Sequence, residues 1–308
     1  MKETTLDNSI ESKRRRRRAL KKTIEKIMNA VFFVCGAAAI AAVALITVYM
    51  VVSGLPAIRE IGLLDFLFGT EWKSTAAEPK FGILPFILTS IWGTLGAIVI
   101  GVPVGLLTAV FLSKVASRRV ASVVRPAVEL LAGIPSVVYG FFGIVVLVPM
   151  VRALGEKWDG SGNSMLTASI LLAIMILPTI IGVVEPALRA VPTSYYEGAL
   201  ALGATHERSV YTAVVPAARS GILAGVVLGV GRAMGETMAV IMVAGNQPRM
   251  PKGILQGVRT LTGNIVIEMG YATGLHREAL IATGVVLFVF ILLINLCFSA
   301  VKRKADAT

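Results

Sequence analysis

Long apolar segments alternate with shorter polar ones along the chain, and the length of the apolar segments indicates its class. A helix needs roughly 20 apolar residues to cross a hydrocarbon core of about 30 Å. Six segments reach that length, and we predict transmembrane helices over Ile27–Ser53, Leu84–Leu112, Glu129–Val151, Met165–Val184, Gly221–Ala244 and Leu280–Val301. The fold class is therefore an all-α polytopic membrane protein, with a basic segment of residues 1–26, a membrane domain of residues 27–301 and a tail of residues 302–308.

The composition supports a membrane protein and excludes a soluble enzyme. Hydrophobic residues make up 56% of the chain, charged residues only 16%, and the mean hydropathy is +0.79. A soluble domain has about 45–50% apolar and about 25% charged residues. The two cysteines, Cys35 and Cys297, fall in apolar segments, and the two histidines, His206 and His276, fall in loops. We therefore predict no catalytic residue, no disulfide and no metal site.

The basic residues are distributed unequally between the two sides that six spans create. Twenty of the 30 Lys and Arg residues fall in the termini and in the loops Ser113–Val128 and Glu185–Ser220, and nine fall in the other three loops. By the positive-inside rule, both termini are predicted to be cytoplasmic. We interpret the basic run Lys13–Arg18 as an anchor on anionic membrane lipid and predict no nucleic-acid partner.

The predicted cytoplasmic loop of residues 185–220 has the signals of two short helices. Ser194 followed by Glu197 is typical of a capping box, which predicts a helix start. Gly203 supplies a left-handed stop after it. A second helix is predicted from Thr205 to Val215, closed by Pro216. Together these signals predict a helical hairpin at the membrane face.

A charged pair lies within the fifth predicted span. Arg232 falls about midway along it, where an arginine costs roughly 2.5–3.5 kcal/mol on insertion scales. A continuous helix would place Glu236 one turn further on the same face, where it would offset the charge. Two interpretations stay open: an ion pair that locks the helix in place, or a position on a translocation path. On the same span, close helix packing is indicated by Gly221, Gly225 and Gly229.

The third predicted span contains a helix breaker. Pro135 removes a backbone donor, and Gly133 lies just before it. A break inside the membrane is tolerated where the freed groups are buried in protein or face a watery cavity. The N–H groups after the break and the hydroxyl of Ser136 would suit an oxyanion. A proline kink that only serves packing is the other interpretation, and the sequence leaves both open.

The predicted hairpin resembles a loop of a known family. Glu197, Gly203 six residues later and Pro216 thirteen further are similar to the EAA loop of ABC-importer permeases, with Gly198 and Ala199 where the pattern usually has two alanines. The resemblance implies a type I importer architecture, in which this loop is the helix that couples to an ATPase. It implies no cofactor in this chain, because ATP and magnesium are bound by the separate ATPase. The chain accordingly has no P-loop sequence of the form G-x-x-x-x-G-K-[ST].

Three further stretches resemble the PstC-type permeases of phosphate-specific ABC importers. They are Phe68–Trp72 with Phe81–Pro85, Leu131–Phe141, and Gly231–Val240. The resemblance implies a bacterial inner-membrane subunit that forms half of a pore for inorganic phosphate. The translocation path would then include Pro135, Ser136, Tyr139, Arg232 and Glu236.

The same resemblance implies a set of partners. They are a PstA-type second permease, a dimer of PstB-type ATPase subunits, a PstS-type external phosphate-binding protein, and phosphate itself. A permease for sulfate, molybdate or phosphonate is the alternative within the class. An ion channel is a more distant alternative, because the coupling loop would then have no purpose.

Overall fold

The structure is a computed structural model that describes residues 2–155 and 161–306, with side chains at residues 21–22, 24–155 and 161–300. The run Lys13–Arg18, on which the predicted lipid anchor depends, lies outside the described side chains, as does the predicted tail of residues 302–308. Residues 1–52 form one compact unit, which is the first part of a long helix. Residues 53–308 form a second unit, and every candidate site residue belongs to it.

Helices make up most of the described chain. In chain order they are α1 (Lys2–Ile61), α2 (Leu63–Phe68), α3 (Leu84–Val110), α4 (Arg118–Gly133), α5 (Ser136–Phe142), α6 (Val148–Gly155), α7 (Met165–Ala190), α8 (Thr193–Ala201), α9 (His206–Ser209), α10 (Val215–Ala217), α11 (Arg219–Gly235), α12 (Met238–Val243), α13 (Leu261–Glu268) and α14 (Gly274–Asp306). Within the described ranges, π-helical turns occur at Phe111–Val115, Gly143–Leu147 and Val210–Val214. Strands β1 (Trp72–Lys73) and β2 (Lys80–Phe81) form an antiparallel hairpin in which Trp72 lies opposite Phe81.

The described helices include five stretches long and apolar enough to cross a membrane, and a sixth if a pair bent by 72° counts as one span. The five are Ile24–Ile61, Leu84–Val115, Ser136–Gly155, Met165–Ala190 and Gly274–Ala300, and the bent pair is His206–Ala217 with Arg219–Gly235. The all-α polytopic fold class is therefore confirmed. The third and fifth predicted spans, however, differ from the prediction in their internal structure.

The third predicted span begins at the wrong residue. Residues 129–133 belong to α4, and the apolar stretch begins only at Ser136. The 16 residues of α4 include three arginines and a glutamate, which make it amphipathic instead of membrane-spanning. The predicted break is confirmed, because Ile134 and Pro135 are both extended between α4 and α5.

The fifth predicted span is broken, so the prediction of one continuous helix over Gly221–Ala244 is wrong. α11 ends at Gly235, the backbone of Glu236 is extended, and α12 begins two residues later. No proline marks this break in the sequence. Because the helix ends before residue 236, Glu236 does not lie on the helical face of Arg232.

α7 is the central helix of the second unit, because α3 and α11 both pack closely on it. A methyl group added at Gly105 of α3 or at Gly229 of α11 would lie 3.0 Å from the side chain of Ile180 on α7. One at Gly225 would lie 2.7 Å from Val184, and one at Gly221 would overlap Ala187. The predicted close packing of the glycine stripe on the fifth span is therefore confirmed.

Candidate functional site

The first arm of the predicted coupling loop is α8. It begins at Thr193, directly after Pro192, and no side chain caps its first turn. The predicted capping box of Ser194 and Glu197 is therefore wrong, since Ser194 already lies inside the helix. The fixed φ of Pro192 sets the entry of the chain and lets the helix start earlier than a cap at residue 194 would allow.

α8 projects from the protein and ends in a tight turn. None of its residues is buried, including the coupling-motif residues Glu197, Gly198 and Ala199. Gly203 has a φ of +83°, and its N–H donates to the carbonyl of Leu200 at 2.9 Å. The N–H of Ala204 donates to the carbonyl of Ala199 at 3.1 Å, which completes the Schellman pattern. The predicted left-handed stop at Gly203 is confirmed.

The second arm runs from α9 through a π-helical turn to α10. Thr205 caps it by accepting a hydrogen bond from the N–H of Arg208 at 3.3 Å, so the predicted start is confirmed. Pro216 does not close the arm as predicted, because it lies inside α10 and the helix ends at Ala217. The chain then bends at Ala218 into α11.

A pair of side chains that sequence reasoning missed ties the two arms together. The Tyr196 hydroxyl lies 2.7 Å from Nδ1 of His206, and the two rings pack edge to face. Val210 and Val214 are buried in an apolar cluster that includes Leu188 near the end of α7. The hairpin of α8 to α10 is therefore a stiff body attached to the end of α7.

Arg232 and Glu236 bind different partners. Nη1 of Arg232 donates to Oγ1 of Thr179 on α7 at 3.2 Å. Oε1 of Glu236 accepts from the N–H of Ala239 at 3.2 Å and so caps the start of α12. Both side chains are described and both are half-buried, yet no ion pair joins them. The expected charge offset, and with it the helix-locking ion pair, is wrong because α11 stops before Glu236.

Tyr139 bridges the break in the third span. It is buried on α5, and its hydroxyl donates to the carbonyl of Leu131 on α4 at 2.8 Å. The bond closes the gap in the helical ladder that Pro135 opens. Pro135 itself is exposed, and Ser136, the first residue of α5, is half-buried.

The helices that follow the two breaks pack against each other. A methyl group added at Gly140 of α5 would lie 3.2 Å from Cα of Ala239 on α12 and would overlap the side chain of Met242. The fold therefore brings α5, which carries Ser136 and Tyr139, beside α12, whose start is capped by Glu236, while Arg232 lies on α11 before the break. No hydrogen bond between described side chains joins Arg232 to Tyr139, since each of them binds a different neighbour.

A small cavity with both apolar and polar lining lies among α3, α7, α11 and α12. Its volume is about 20 Å³. The polar side chains that line it are Thr89, Ser90, Thr94, Glu236, Thr260 and Thr262. A water molecule needs roughly 10–15 Å³ measured in this way, so the cavity has room for about one water and none for an oxyanion.

A buried carboxylate joins the hairpin to the region before α14. Oε2 of Glu268 accepts from Nε1 of Trp72 at 2.9 Å, from Ser74 at 3.1 Å and from Nε2 of His276 at 2.8 Å. Oε1 accepts from Nη1 of Arg259 at 2.6 Å. Burial raises the pKa of Glu268, but the hydrogen bonds from Trp72, His276 and Arg259 outweigh it and hold the pKa below its usual value of 4.5. The carboxylate is therefore ionised at neutral pH.

Comparison with known proteins gives one matching family and several relatives. The model of the family described as "Binding-protein-dependent transport system inner membrane component" matches residues 101–306. The probable ABC transporter permease protein YqgH of Bacillus subtilis is 39% identical over 278 residues, which cover 88% of this chain and 89% of that protein. The phosphate transport system permease protein PstC of Xylella fastidiosa is 38% identical over 243 residues, 73% of this chain and 74% of that protein.

Solved structures share the fold at low sequence identity. A chain of the inward-facing MetNI methionine ABC transporter has a TM-score of 0.54 at 22% identity and covers 73% of this chain and 94% of its own. A chain of a bacterial ABC transporter that imports the acidic polysaccharide alginate has a TM-score of 0.55 at 16% identity, covering 72% of this chain and 79% of its own. At these identities the likeness establishes the architecture and not the cargo.

Proposed function

Because this chain belongs to the family of binding-protein-dependent transport system inner membrane components, we propose that it is the permease subunit of an importer of inorganic phosphate. The chain is a non-catalytic pore component of the bacterial inner membrane. The observation that carries phosphate as the cargo is the similarity to PstC proteins, at 38% identity in Xylella fastidiosa and 34% in Mesorhizobium japonicum. A half-buried arginine in the interrupted fifth span is the feature of this chain that fits an anionic cargo.

Coupling to a separate ATPase is assigned to the hairpin of α8 to α10. None of the residues of its first arm is buried, and Glu197 and Gly198 of the coupling motif are exposed, with Ala199 partly exposed beside them. The left-handed turn at Gly203 and the contact between Tyr196 and His206 hold the two arms in a fixed geometry. A stiff, projecting body of this kind can seat in a cleft of another subunit and move with it. ATP and magnesium would then belong to that subunit, a PstB-type dimer.

Arg232 is the residue best suited to attract the anion. Only its Nη1 is engaged by a described side chain, at Thr179, which leaves the other N–H groups of the guanidinium for a ligand. A guanidinium offers phosphate two parallel hydrogen bonds. The half-buried Glu236 is assigned to the same stretch of the path, but it caps α12 and forms no ion pair with Arg232, so it does not neutralise the arginine.

The rest of the path is assigned to the break in the third span. Ser136 begins α5 after the extended Pro135, and Tyr139 holds the break together through Leu131. α5 packs on α12, so the residues that follow both breaks share one region of the fold. A PstA-type permease would supply the other half of the path, and a PstS-type binding protein would deliver phosphate from outside.

The same geometry would also suit a permease for sulfate, molybdate or phosphonate, and it suits an ion channel less well. The test is ATP-dependent uptake of labelled phosphate by proteoliposomes that contain the complete complex, with sulfate as competitor. We expect uptake that excess sulfate does not suppress, complete loss in Arg232→Ala, and partial loss in Arg232→Lys, which keeps the charge without the two-pronged geometry. Transport of sulfate in preference to phosphate would refute the proposed cargo.

A further inference from the structure

A cluster of charged side chains lies where α4, α7 and the end of the α3 span meet. Nε of Arg125 on α4 donates to Oε1 of Glu185 on α7 at 2.7 Å. Nη2 of Arg189, also on α7, lies 3.1 Å from the same oxygen. Both guanidinium groups also donate to the carbonyl of Leu112, at 3.5 and 3.4 Å. Leu112 lies in the π-helical turn that ends the α3 span, so the cluster ties α3, α4 and α7 together.

The cluster is built to hold its members in place. Glu185 is only 8% exposed, and a buried carboxylate that loses its cationic partner is costly. Leu112, Ala121 and Ile181 form a small apolar core beside it, which comes from the same three elements. Ionic and apolar contacts therefore fix α4 to α7 at one place.

The cluster is unsuited to bind a free anion. The cavity beside it has a volume of about 290 Å³ and is lined by Arg125 and Arg189. Glu129 and Glu185 line the same cavity and balance the two positive charges. The arginines are already engaged with Glu185 and with a carbonyl, so a mechanical role fits the contacts better than a binding role.

We propose that Arg125 and Glu185 transmit the movement of α8 to the break in the third span. This inference rests on the proposed coupling role of α8. Glu185 lies five residues before the end of α7, and α8 begins three residues after that end. A displacement of α8 is therefore carried up α7 over about one helical turn before it reaches the carboxylate.

The second half of the transmission runs along α4. Arg125 lies eight residues before the end of α4, and Leu131 lies in the last turn. The carbonyl of Leu131 accepts the hydrogen bond from Tyr139 on α5, across the extended residues at 134 and 135. A movement of α4 thus pulls on α5, and α5 packs on α12 through Gly140. Arg125 is a positioning residue in this scheme, since it acts through other groups and touches no cargo.

The test compares Arg125→Met with Arg125→Lys in the complete complex. Methionine keeps most of the apolar length and removes the charge, and lysine keeps the charge without reaching Glu185 and Leu112 together. Arg119→Met is the matched control, because Arg119 is an exposed arginine on the same helix. Phosphate uptake, ATP hydrolysis and co-purification of the ATPase are measured on the same preparations.

We expect Arg125→Met to retain the ATPase subunit and ATP hydrolysis but to transport less phosphate per ATP hydrolysed, by a factor of about five or more. A factor of about five is the low end of typical coupling between two sites. Arg125→Lys should fall between that variant and the wild type, and Arg119→Met should match the wild type. A normal ratio of phosphate to ATP in Arg125→Met would overturn the inference. Loss of the assembled complex in both Arg125 variants would also overturn it, because the ion pair would then serve only to stabilise the structure.

A second readout does not depend on the cargo. Val137 on α5 is 47% exposed, and Val137→Cys can be labelled in a chain without Cys35 and Cys297. We expect ATP to change the labelling rate at this position in the wild-type complex and to leave it unchanged in Arg125→Met. An equal response to ATP in both would overturn the inference. If the wild type responds to ATP yet moves no phosphate, the proposed cargo fails while the transmission still stands.

Discussion

The indole N–H of Trp72 donates to Oε2 of Glu268 at 2.9 Å, between residues 196 positions apart in the chain. Phe81 and Phe86 pack edge-on against the indole, with ring centroids 5.4 and 5.6 Å from it. Because the same carboxylate also binds Arg259, one buried group holds the β1–β2 hairpin, α13 and the loop before it.

Replacing this carboxylate should destabilise the protein. In Glu268→Gln, Arg259 would be left nearly buried, with 11% of its side chain exposed and no carboxylate to compensate it. Breaking a buried pair in this way costs about 3–5 kcal/mol in the free energy of unfolding. Thermal unfolding of the purified protein in detergent measures the change. The control is Glu71→Gln, which removes an exposed carboxylate bound to Lys73 and Lys80. An equally large drop in the unfolding temperature of the control would refute the special role of Glu268.

The stability contributed by Glu268 should depend on pH. Its pKa in the folded protein lies below the usual value of 4.5, so the contribution is fully present above about pH 4.5 and is lost as the pH falls through the lowered pKa. The unfolding temperature of the wild type should therefore decline more steeply in acid than that of Glu268→Gln. Parallel curves for the two proteins below pH 4.5 would show that this carboxylate is not responsible.

The turn at Gly203 should be essential for coupling. Its φ of +83° is strained for a β-branched residue, at a cost of about 1–3 kcal/mol. We expect Gly203→Val to insert in the membrane but to lose ATPase co-purification and phosphate uptake. Gly270→Val is the control, because Gly270 has open space around it and no positive φ. Normal stimulated ATPase activity in Gly203→Val would count against the hairpin as the coupling element.

The hydroxyl of Thr179 should matter for transport because it orients Arg232. Thr179→Val keeps the shape and removes the acceptor that lies 3.2 Å from Nη1. Loss of a hydrogen bond to a charged group costs about 1.5–3 kcal/mol, so phosphate uptake should fall by roughly tenfold or more. Thr108→Val serves as the control, since that hydroxyl bonds only to the carbonyl of Val104 in its own helix. Equal phosphate uptake in the two variants would show that the hydroxyl of Thr179 does not contribute to transport.

The orientation predicted from the basic residues can be tested by labelling. Thr75, beside the hairpin, and Ser122, on α4, are both exposed. Single cysteines at these positions, in a chain without Cys35 and Cys297, should react with an impermeant reagent in intact spheroplasts only at Thr75→Cys. Ser122→Cys should react only after lysis. The reverse pattern would invert the orientation.

Local rules predicted the features that depend on one residue's backbone. Pro135 breaks its helix because it lacks an N–H, and Gly203 ends α8 because it tolerates a positive φ. The rule for capping boxes failed at Ser194, where Pro192 had already set the helix start. Each of these outcomes was decided within a few residues of the position concerned.

Features that depend on distant parts of the chain could not be predicted. The rule that residues four apart share a helical face paired Arg232 with Glu236, but the helix ends between them, at Gly235 and without a proline. The true partner of Arg232, Thr179, is 53 positions away on a different helix. The contacts of Glu268 with Trp72 likewise exist only once the helices have packed.

The cavity of about 20 Å³ among the central helices has a consequence for the electrical insulation of the membrane. A doubly charged anion that moves across a potential of 100 mV gains or loses about 4.6 kcal/mol, so any continuous watery route would discharge an accumulated gradient. The cavity has room for about one water, which is too little for a continuous watery route between these helices. If phosphate passes at a boundary with a second permease, as proposed, tightness against leakage is a property of the assembled pair and has to be measured on the complete complex.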